Sequence, residues 1–403
     1  MNQFNEAHTV AVIGAGVVGA ATALWLQRRG KQVVLIDRDS PGSGCSAGNS
    51  GAISPGSVAP LAMSGVLASV PSMLFDDESP LYLPLGYFPQ AVPWLAQFVA
   101  SARPGKVAEA AARLDAIHRG AVAMHRELTR EIGVPELFME RGHLHLYPDE
   151  RALAKDAAGW RLRAQYGYAA RHLDRAGIEK LEPNAPARYQ TGMFLDDHAT
   201  ILNPRRYVEA MATAFVGAGG KIERASVSAL TREGDGWRLQ GASPCRFGQV
   251  VVAAGAWSRA LLDPLGIKVP LESQRGYHVQ FEGGESVVSR TVVLADKKVF
   301  ATPMEQGLRF GGTVEIGGLS RPPDARRSAV LQRIAIESFP QLAGRTSQTW
   351  MGHRPCMPNS VPIIGEAMGQ PGLWLAIGHG HLGLTDSLPT AQRISDGICG
   401  VLS

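Results

Sequence analysis

The chain has 403 residues, of which 45% are hydrophobic and 19% are charged, and its formal net charge at pH 7 is +4. This length and composition can bury a sizeable core over two or three domains, which excludes general disorder. Because the small positive excess is spread along the chain without a block of Lys and Arg, the composition argues against a nucleic-acid partner.

The first long apolar run, VAVIGAGVVGAATALWL over residues 10–26, is slightly short for a membrane-spanning helix, which needs about 20 residues. Residues 1–9 lack the Lys or Arg that precedes the apolar part of a secretory signal. No other segment reaches spanning length. We therefore expect a cytoplasmic chain without a transmembrane segment, whose membrane contact, if any, is peripheral and at the inner face of the cell membrane.

Three glycines inside this run, Gly14, Gly16 and Gly19, form the pattern G-x-G-x-x-G directly after the strand-like VAVI. In a dinucleotide site the first glycine permits a sharp turn, the second admits a pyrophosphate to the backbone, and the third lets helix and strand pack closely. The N–H groups at the start of the next helix would stabilise the phosphate charge. A glycine-rich turn in another kind of α/β protein is the alternative interpretation.

The residues after the glycines extend the same unit. Residues 20–29 predict a helix that ends at Gly30, and QVVLID predicts a second strand with Asp37 at its end. An acidic residue about 20 positions past the glycines is expected to bind a ribose hydroxyl. The beginning of the chain therefore predicts a dinucleotide-binding β-α-β unit.

The next segments mix helical and strand-like patterns. Residues 60–105 are apolar and rich in Pro, and they predict either a buried helix that packs Trp94 and Phe98 or an apolar patch that docks on a membrane or a partner. Residues 106–132 predict one long helix, because apolar residues recur at helical spacing. The alternation in GHLHLYP predicts a strand.

Residues 203–220 predict a helix with Asn203 as its N-cap, and the strands KIERASVSALT and QVVVAA follow. Strand-like alternation continues over 264–345, and the end of the chain returns to a strand, a glycine loop and a helix. These separated pieces predict an α/β fold (α+β overall) with a doubly wound, Rossmann-like cofactor domain and a strand-rich substrate domain. The predicted bounds are 1–75, 198–263 and 350–403 for the cofactor domain, and 76–197 and 264–349 for the substrate domain.

The four cysteines, Cys45, Cys245, Cys356 and Cys399, are scattered without C-x-x-C spacing. They predict neither a zinc site nor a disulfide framework, and we expect no bound metal. A reducing cytoplasm is the simplest compartment for such a chain.

Four stretches together resemble the FAD-dependent amine and D-amino-acid oxidoreductases of the glycine oxidase and D-amino-acid dehydrogenase group. They occur in the expected order over almost the whole chain, and the wording of the second and fourth is most similar to the bacterial dehydrogenase branch. The stretches are VAVIGAGVVGAATALWLQRRGKQVVLID, GSGCSAGNSGAISPG, VVVAAGAWS, and GHRPCMPNSVPIIG with GHGHLGLT. The resemblance implies FAD as the cofactor. We expect non-covalent FAD, because neither Cys45 nor Cys356 aligns with the covalent cysteine of some relatives.

The resemblance and the glycine pattern together assign a set of residues to the cofactor. Asp37 and Arg38 would flank the adenosine, and the backbone of Val227 would meet the adenine. The GHGHLGLT stretch would direct backbone N–H groups at the flavin, with its two histidines either contacting the ring or capping the helix and loop. The full set is Gly14, Gly16, Val17, Val18, Gly19, Asp37, Arg38, Ser46, Gly48, Asn49, Ser50, Gly51, Val227, Ala254, Gly255, Gly378, His379, Gly380, His381, Leu382, Gly383, Leu384 and Thr385.

A substrate carboxylate needs a cationic partner, and arginine offers a planar fork that matches it. By resemblance, Arg354 in GHRPCMPNS is the family's arginine near the flavin, and Tyr277 in RGYHV is the family's tyrosine that reaches the same carboxylate. His353 stands where relatives often carry an aromatic residue, so it would shape the pocket. Arg275 is a further candidate, and Arg309 is either a second anchor or a strand residue that faces solvent.

The resemblance implies oxidative deamination of a D-amino acid or a cyclic D-imino acid, of the D-proline or 4-hydroxy-D-proline type. Hydride would pass from Cα to flavin N5, and the electrons would go on to a respiratory quinone or another acceptor rather than to oxygen. The alternatives are a glycine or sarcosine oxidase that uses oxygen, a non-catalytic FAD-binding relay subunit, a tRNA-modifying flavoprotein, and an NAD-dependent enzyme.

Overall fold

The β-α-β unit predicted at the start of the chain is present in the computed structural model, which describes residues 9–63 and 81–401. It consists of β1 (Thr9–Ile13), α1 (Val17–Arg28) and β2 (Gln32–Asp37). The other strands are β3 (Ala52–Ile53), β4 (Leu81–Tyr82), β5 (Phe138–Met139), β6 (His143–Tyr147), β7 (Arg171–Asp174), β8 (Thr191–Leu195), β9 (Ala199–Ile201), β10 (Lys221–Arg224), β11 (Ala229–Glu233), β12 (Gly236–Gln240), β13 (Arg246–Phe247), β14 (Gln249–Val252), β15 (Glu272–Phe281), β16 (Thr291–Leu294), β17 (Val299–Met304), β18 (Gly307–Ile316), β19 (Ser347–Cys356), β20 (Ile363–Glu366) and β21 (Leu373–Ile377).

The helices after α1 are mostly amphipathic and cover the sheets. They are α2 (Phe88–Ser101), α3 (Pro104–His118), α4 (Ala121–Glu131), α5 (Glu150–Lys155), α6 (Ala157–Gln165), α7 (Arg175–Leu181), α8 (Pro204–Gly217), α9 (Ser258–Leu262), α10 (Ala325–Ser338) and α11 (Gly383–Cys399). The predicted cap of α8 is present, because the Asn203 side chain accepts the N–H of Arg206.

The first sheet has six strands in the order β10-β2-β1-β14-β21-β20. All neighbours are parallel except β20, which runs antiparallel to β21 at the edge. Helices α1, α8 and α11 cover one face, and the small sheet β11-β12-β13 covers the other. Because both faces are buried, the central strands consist of nearly continuous Val, Ile and Leu.

The second sheet follows the order β19-β15-β18-β17-β16-β6-β8-β7, with β4 paired to β18. Residues of α7 and α10 fill a hydrophobic core on one of its faces, together with Tyr277 and the Phe side chains of β15 and β18. The opposite face of β15, β18 and β19 contacts the loop that follows β2, as described below. The predicted fold class, a doubly wound cofactor domain built from separated segments with a strand-rich second domain, is confirmed.

The structure differs from the predicted domain bounds at two places. Strand β19 belongs to the second sheet, where it pairs along its whole length with β15, although 350–403 was assigned to the cofactor domain. Helices α3 and α4 pack near α11 instead of with the substrate sheet, since His118 of α3 contacts Asp386 and Leu128 of α4 joins the core of the first sheet. Tertiary packing decides these assignments, because the local patterns are equally compatible with either domain.

Two predicted elements are divided in the structure. The long helix predicted over 106–132 is two helices, α3 and α4, separated at Gly120, whose φ of +82° is left-handed and ends the helical path. The strand predicted from KIERASVSALT is likewise two strands, β10 and β11, which pair in different sheets.

Helix α2 agrees with the first interpretation of the apolar region 60–105, a buried helix that packs Trp94 and Phe98, while docking on a membrane or a partner stays a prediction; residues 64–80 lie outside the described residues. Trp94 is buried, stacks on Phe98 with centroids 5.2 Å apart, and donates its indole N–H to the carbonyl of Cys356 at 3.2 Å. The other side of the segment is exposed at Leu85, Phe88 and Val99. The same short segment therefore packs against β19 and presents an apolar surface. None of the described helices is long and apolar enough to cross a membrane.

Buried His125 predicts a loss of stability in mild acid. Its ring lies between the hydroxyl of Tyr207 (2.9 Å) and the carbonyl of Thr385 (3.4 Å), and burial lowers its pKa to about 4. The unfolded imidazole, with a pKa of about 6.5, binds a proton that the folded one rejects. The free energy of unfolding should therefore fall by up to about 3 kcal/mol as pH drops from about 6.5 to about 4.

Urea unfolding at several pH values between 7.5 and 4.5 would measure this slope. We expect His125→Gln to reduce the slope by the contribution of one histidine, because His118 and His278 are buried with lowered pKa values as well and keep their own contributions. The matched control is a Gln substitution of the exposed His172. An identical slope in wild type and His125→Gln would show that this histidine does not carry the effect.

Candidate active site

The glycine turn after β1 is as tight as the sequence pattern requires. Gly14 has a φ of +106°, and a Cβ atom built on it would lie 2.4 Å from the carbonyl oxygen of Ala253. A Cβ on Gly19 would lie 1.8 Å from the carbonyl oxygen of Gly14. On Gly16, by contrast, a Cβ would meet only the Ser46 hydroxyl, at 3.4 Å. The first and third glycines are thus fixed by packing, and the second leaves the backbone approachable.

The first turn of α1 is organised to receive an anion. Its N-cap, Gly16, provides no side-chain acceptor, and the first turn contains no acidic residue. The Val17 N–H donates to the Ser46 hydroxyl at 2.9 Å, which ties the loop after β2 to the start of the helix. Together with Val18 and Gly19 in the same turn, this N-terminus fits a pyrophosphate.

The end of β2 forms the rim of this cradle. The Asp37 carboxylate accepts the N–H of Ala15 at 2.6 Å. The backbone carbonyl of Asp37 accepts the N–H of Ala225, so the segment that contains Val227 lies next to the end of β2. Arg38 lies over the ring of Trp257, with its guanidinium carbon 4.4 Å from the centroid. Ala254 and Gly255 directly follow Ala253, whose carbonyl abuts Gly14. These residues therefore surround the glycine turn, as the adenosine half of FAD would require.

Replacing Gly19 with Ala should disrupt the cradle. The added methyl would overlap the Gly14 carbonyl, and neither group can move without displacing backbone. We expect FAD affinity to fall at least ~10-fold and the free energy of unfolding to fall by ~1–3 kcal/mol. Fluorescence titration with FAD would measure the first effect. Gly44→Ala is the matched control, because a Cβ there meets nothing within 4 Å. Equal FAD affinity in the two variants would contradict the prediction.

Residues 46–51, here called the flavin loop, are fastened to the second sheet by Arg309. This arginine is 9% exposed and donates to the carbonyl oxygens of Ala47 (3.1 Å) and Asn49 and to the side-chain oxygen of Gln280 (3.0 Å). Burial lowers its pKa to about 10. The structure thus supports neither of the two predicted positions for Arg309, since its side chain is covered by the loop and faces no solvent.

Side chains of the second sheet complete this attachment. The His278 ring donates from Nδ1 to the carbonyl of Gly48 at 3.1 Å, and the indole of Trp350 covers Gly48 so closely that a Cβ there would lie 2.1 Å from the ring. The Ser50 hydroxyl would lie 2.9 Å from a Cβ on Gly311. Within the loop, the Asn49 side chain accepts the N–H of Gly51, whose φ is +73°.

The glycine loop before α11 lies on the other side of the candidate site from the flavin loop. Gly378 and Gly380 have left-handed φ values of +85° and +56°, and the Gly380 N–H donates to the carbonyl of Pro355 at 2.8 Å. The two histidines of the loop diverge. His379 is buried and bonds to the Thr390 hydroxyl at 2.9 Å, so it secures the helix, whereas His381 remains accessible to solvent.

The first turn of α11 connects to the segment that follows the flavin loop. The Thr385 hydroxyl accepts the N–H of Ser54 at 3.0 Å and lies 3.3 Å from the carbonyl of Ala52, so it joins the start of α11 to the segment 52–54. The side chains of Leu382 and Leu384 are buried, and the backbone of Leu382 is engaged within the protein, since its N–H donates to the His379 carbonyl at 3.0 Å and its carbonyl accepts the N–H of Asp386 at 2.9 Å.

Buried Asp386 lies in this first turn, with one carboxylate oxygen 3.2 Å from Nε2 of His118. Burial raises the pKa of Asp386 well above its usual range, and burial lowers the pKa of His118 to about 4. In both groups burial therefore disfavours the charged form. An ionised carboxylate would offset the positive end of the helix dipole, so the raised pKa of Asp386 favours an electropositive N-terminus of α11.

Arg354 lies between the two loops. Strand β19 carries it opposite Gln274 of β15, and its guanidinium extends over Gly276, where a Cβ would lie 2.2 Å from its central carbon. One nitrogen donates to the Thr313 carbonyl at 3.0 Å. The surrounding protein and, next, the charge of Arg354 lower the pKa of His381 to about 4, although that imidazole keeps access to solvent.

On the side of the flavin loop, Cys45 directly precedes that loop. Burial raises the pKa of its thiol, and the charge of Arg354 opposes that rise. The guanidinium therefore acts electrostatically on both loops. A permanently charged planar fork at this position is able to bind a carboxylate.

The structure does not bring Tyr277 and His353 to Arg354. Successive side chains of a strand point to opposite faces, so Tyr277 lies on the face opposite Gly276 and Arg354. Its hydroxyl bonds to Glu315 and accepts the N–H of Asp324 at 3.0 Å. His353 shares that face, with Nδ1 2.8 Å from the Ser273 hydroxyl and its ring against Trp257. The contact of Tyr277 with a carboxylate beside Arg354, predicted by resemblance, is therefore not supported by its position.

Arg275, the further candidate, lies on this second face as well. It is fully buried and pairs with Glu315 at 2.8 Å, and it also donates to the carbonyls of Arg321 and Pro322. The pair fixes the segment before α10 against the sheet, so Arg275 has a structural position instead of a place in the site.

Three residues that were missed by the sequence analysis lie on the site face. Trp350 and His278 are stacked with centroids 5.1 Å apart, and the strand register places Phe300 of β17 in the same row through Gly311. The period of two in QTWMGHRP was the available signal, because it puts Trp350 on the same face as Arg354 and His353 on the other.

Comparison with known proteins agrees with this arrangement. The sequence profile of the family described as "DAO: FAD dependent oxidoreductase" matches residues 9–396. A protein of Bradyrhizobium diazoefficiens named D-amino-acid oxidase is 36% identical, with 98% of this chain and 96% of that protein covered. A D-amino acid dehydrogenase of Rhizorhabdus wittichii is 31% identical, with 97% and 96% covered.

Solved structures show the same fold at lower identity. Glycine oxidase from Geobacillus kaustophilus has a TM-score of 0.76 at 21% identity, with 98% of this chain and 96% of that chain covered. L-proline dehydrogenase from P. horikoshii has a TM-score of 0.74 at 17% identity, with 99% and 95% covered.

Proposed function

Because the chain belongs to the DAO family of FAD-dependent oxidoreductases, we propose that it oxidises the Cα–N bond of a D-amino acid or a cyclic D-imino acid, of the D-proline or 4-hydroxy-D-proline type. The relatives named D-amino-acid oxidase and D-amino acid dehydrogenase, both above 30% identity, support this class of substrate. The observation that carries the proposal is the position of Arg354, a fixed cation between the flavin loop and the loop before α11.

The cofactor residues have complementary tasks in this proposal. The first turn of α1 would hold the pyrophosphate, Asp37 and the segment around Val227 would hold the adenosine, and the flavin loop would contribute to the site of the ring system. The N-terminus of α11, where burial disfavours ionisation of Asp386, would favour negative charge on the pyrimidine part of the ring. The absence of a cysteine that aligns with a covalent linkage supports non-covalent FAD. Yellow colour in an acid-precipitated pellet would contradict that assignment.

Arg354 then acts on the substrate. Its guanidinium binds the carboxylate and so fixes the position of the neighbouring Cα. Holding the reacting carbon in a fixed orientation lowers the entropic cost of reaching the transition state. The amine reacts in its neutral form, because a protonated nitrogen has no electron pair for the forming imine. FAD, when bound, supplies the acceptor for the hydride at its N5. No protein base is required at Cα, and the imino acid hydrolyses after release.

We further propose that the electrons pass to a quinone or another acceptor instead of oxygen, with the chain in the cytoplasm and in peripheral contact with the membrane. Support comes from the apolar surface of α2 and the turn before it, where Leu85 is 91% exposed and Phe88, Val92 and Val99 are 43–55% exposed. This helix packs on Cys356, two residues beyond Arg354, so the surface borders the strand that carries the site.

The relative named an oxidase favours oxygen, and the acceptor is therefore tested directly. Oxygen consumption and reduction of a soluble quinone would be measured with the same substrate, and vesicles of anionic phospholipid would be tested for co-sedimentation. We expect faster turnover with quinone and vesicle binding that weakens in Phe88→Ser. Fast oxygen consumption with no quinone reduction would contradict the acceptor proposal and favour the oxidase alternative.

Anaerobic bleaching of the flavin tests the reaction itself. The panel contains D- and L-enantiomers of common amino acids with D-proline, 4-hydroxy-D-proline, glycine and sarcosine. We expect bleaching by D-enantiomers. Bleaching by L-enantiomers alone, or by glycine and sarcosine alone, would contradict the proposed substrate class. A purified chain that binds FAD but is bleached by no member of the panel would instead indicate a non-catalytic electron-relay subunit.

A further inference from the structure

We infer that Arg309 is a positioning residue for the cofactor, which turns the peptide groups of the flavin loop so that their N–H groups face the flavin and favour its reduction. The inference rests on the proposed function for the place of the flavin beside this loop, and it adds a residue that sets the reduction potential. Arg309 acts through the loop, because residues 47–49 cover its side chain.

Three consecutive carbonyl groups of the flavin loop point to the second sheet. The carbonyl oxygens of Ala47 and Asn49 accept from the same guanidinium nitrogen of Arg309. Between them, the carbonyl of Gly48 accepts from Nδ1 of His278 at 3.1 Å. Neighbouring carbonyl dipoles that point the same way repel one another, so a cation on that side stabilises the arrangement. The planar fork of an arginine suits this task, because it holds several acceptors at fixed angles.

The opposite ends of these peptide groups carry hydrogen-bond donors. In a planar trans peptide group the C=O and the N–H point in opposite directions, and none of the described peptide bonds is cis. The N–H groups of Gly48, Asn49 and Ser50 therefore point away from the second sheet. The N–H of Asn49 donates to the Ser46 carbonyl at 3.2 Å, whereas those of Gly48 and Ser50 donate to no acceptor within residues 9–63 and 81–401.

The unpaired N–H of Gly48 indicates an acceptor that a ligand supplies. Gly48 is buried, and buried backbone N–H groups without a partner are rare in native proteins. Backbone N–H groups that converge from one short loop form a site for negative charge. A flavin gains such charge when it is reduced, so donors aimed at it stabilise the reduced form more than the oxidised form.

The side of the loop that carries these donors faces the cofactor cradle. At the start of the loop, the Ser46 hydroxyl accepts the N–H of Val17 in the first turn of α1. Just after the loop, the N–H of Ser54 donates to the hydroxyl of Thr385 in the first turn of α11. The loop therefore runs between the second sheet and two helix N-termini, and its free N–H groups are turned toward the helices.

The charge of Arg309 acts in the same direction. The side chain is buried, and no carboxylate of the described residues forms an ion pair with it, whereas the buried Arg275 has Glu315 at 2.8 Å. Its remaining side-chain partner is the neutral amide of Gln280. Little solvent screens a buried cation, so its field extends through the thin loop and favours a negatively charged, reduced flavin.

Arg309→Met tests the inference, because methionine fills similar space and has no donor for the two carbonyls. We expect the equilibrium constant for two-electron reduction of the bound FAD to fall at least ~10-fold, which lowers the midpoint potential by about 30 mV. Dithionite titration against a reference dye, without any amino-acid substrate, would measure the potential. An unchanged potential in the variant would overturn the inference.

Arg175→Met is the matched control. Arg175 also holds backbone carbonyls, those of Ala185, Pro186 and Tyr189 at 3.0–3.2 Å, but it does not contact the flavin loop. We expect its potential to equal that of the wild type, and an equal fall in both variants would overturn the inference.

Arg309→Lys separates the orienting effect from the charge. It keeps the charge but loses the planar fork, so it should restore only part of the potential. Full recovery would show that the charge alone matters and would overturn the orienting role. If Arg309→Met binds no FAD, the lysine variant decides by the same criterion.

The two proposals fail in different ways, because chemical reduction of the flavin requires no amino-acid substrate. If D-amino acids bleach the flavin but the potential of Arg309→Met equals that of the wild type, only the inference fails. If the potential falls in Arg309→Met but no D-amino acid bleaches the flavin, only the proposed substrate class fails.

Discussion

Replacing Arg354 with Ala should lower kcat/KM for amino-acid substrates by about 100- to 1,000-fold while the protein remains yellow. The guanidinium is the charged group placed between the flavin loop and the loop before α11, and removing one partner of a close charge pair costs about 3–4 kcal/mol. The cofactor cradle around Gly14 is formed by other segments, so FAD binding should persist. Steady-state kinetics with D-alanine and the visible spectrum would measure the two effects.

Arg345→Ala is the matched control, because this exposed arginine donates to the backbone carbonyls of Gln341 and Gly283 and lies outside the site. Arg354→Lys should restore part of the activity, since it keeps the charge but loses the planar fork. A kcat/KM in Arg354→Ala within threefold of wild type would exclude this residue as the carboxylate anchor and would leave His381 as the next candidate.

Replacing Glu315 with Ala should lower the free energy of unfolding by about 3–5 kcal/mol, which is the usual cost of leaving one member of a buried ion pair alone. Arg275 and Glu315 are both fully buried and lie 2.8 Å apart. The variant would leave the guanidinium of Arg275 without its carboxylate partner and would remove the acceptor of the Tyr277 hydroxyl. Urea unfolding followed by circular dichroism would measure the change.

The control for this effect is Asp196→Ala, which breaks an exposed pair with Arg171 at the same distance of 2.8 Å. Exposed pairs contribute about 0–1 kcal/mol, because solvent screens them and their side chains lose rotamer freedom. Equal destabilisation by the two variants would mean that burial does not govern the Arg275–Glu315 pair. Residual activity of Glu315→Ala at low temperature would support a structural instead of a substrate-binding position for Tyr277.

The cofactor cradle could be predicted from the sequence because its physics is local. A strand, a glycine turn and a helix N-terminus follow one another within 20 residues. Only glycine fits at Gly14 and Gly19, because a Cβ at either position would overlap a neighbouring backbone carbonyl. The cap of α8 by Asn203 is equally local. Such features depend on the chain's own backbone geometry and need no information about distant partners.

The substrate side of the site could be predicted only in part. Arg354 was identified by resemblance, and its role as the carboxylate anchor stays a prediction, which the Arg354→Ala variant tests. Tyr277 and His353 were also assigned to the site by resemblance, yet the pleat of β15 and β19 turns them to the other face. Trp350 was overlooked although the same pleat places it beside Arg354.

The amino-acid sequence by itself determined the β-α-β unit, the glycine turn and the presence of a second, strand-rich region, since these follow from short-range periodicity and from backbone freedom at single positions. Only the tertiary structure decided which sheet receives β19, which face of β15 meets the flavin loop, and that Arg309 fastens this loop by its carbonyls. These outcomes depend on pairing between segments up to about 260 residues apart. The free energy of such pairing is a property of the assembled sheets and is not encoded in any local pattern.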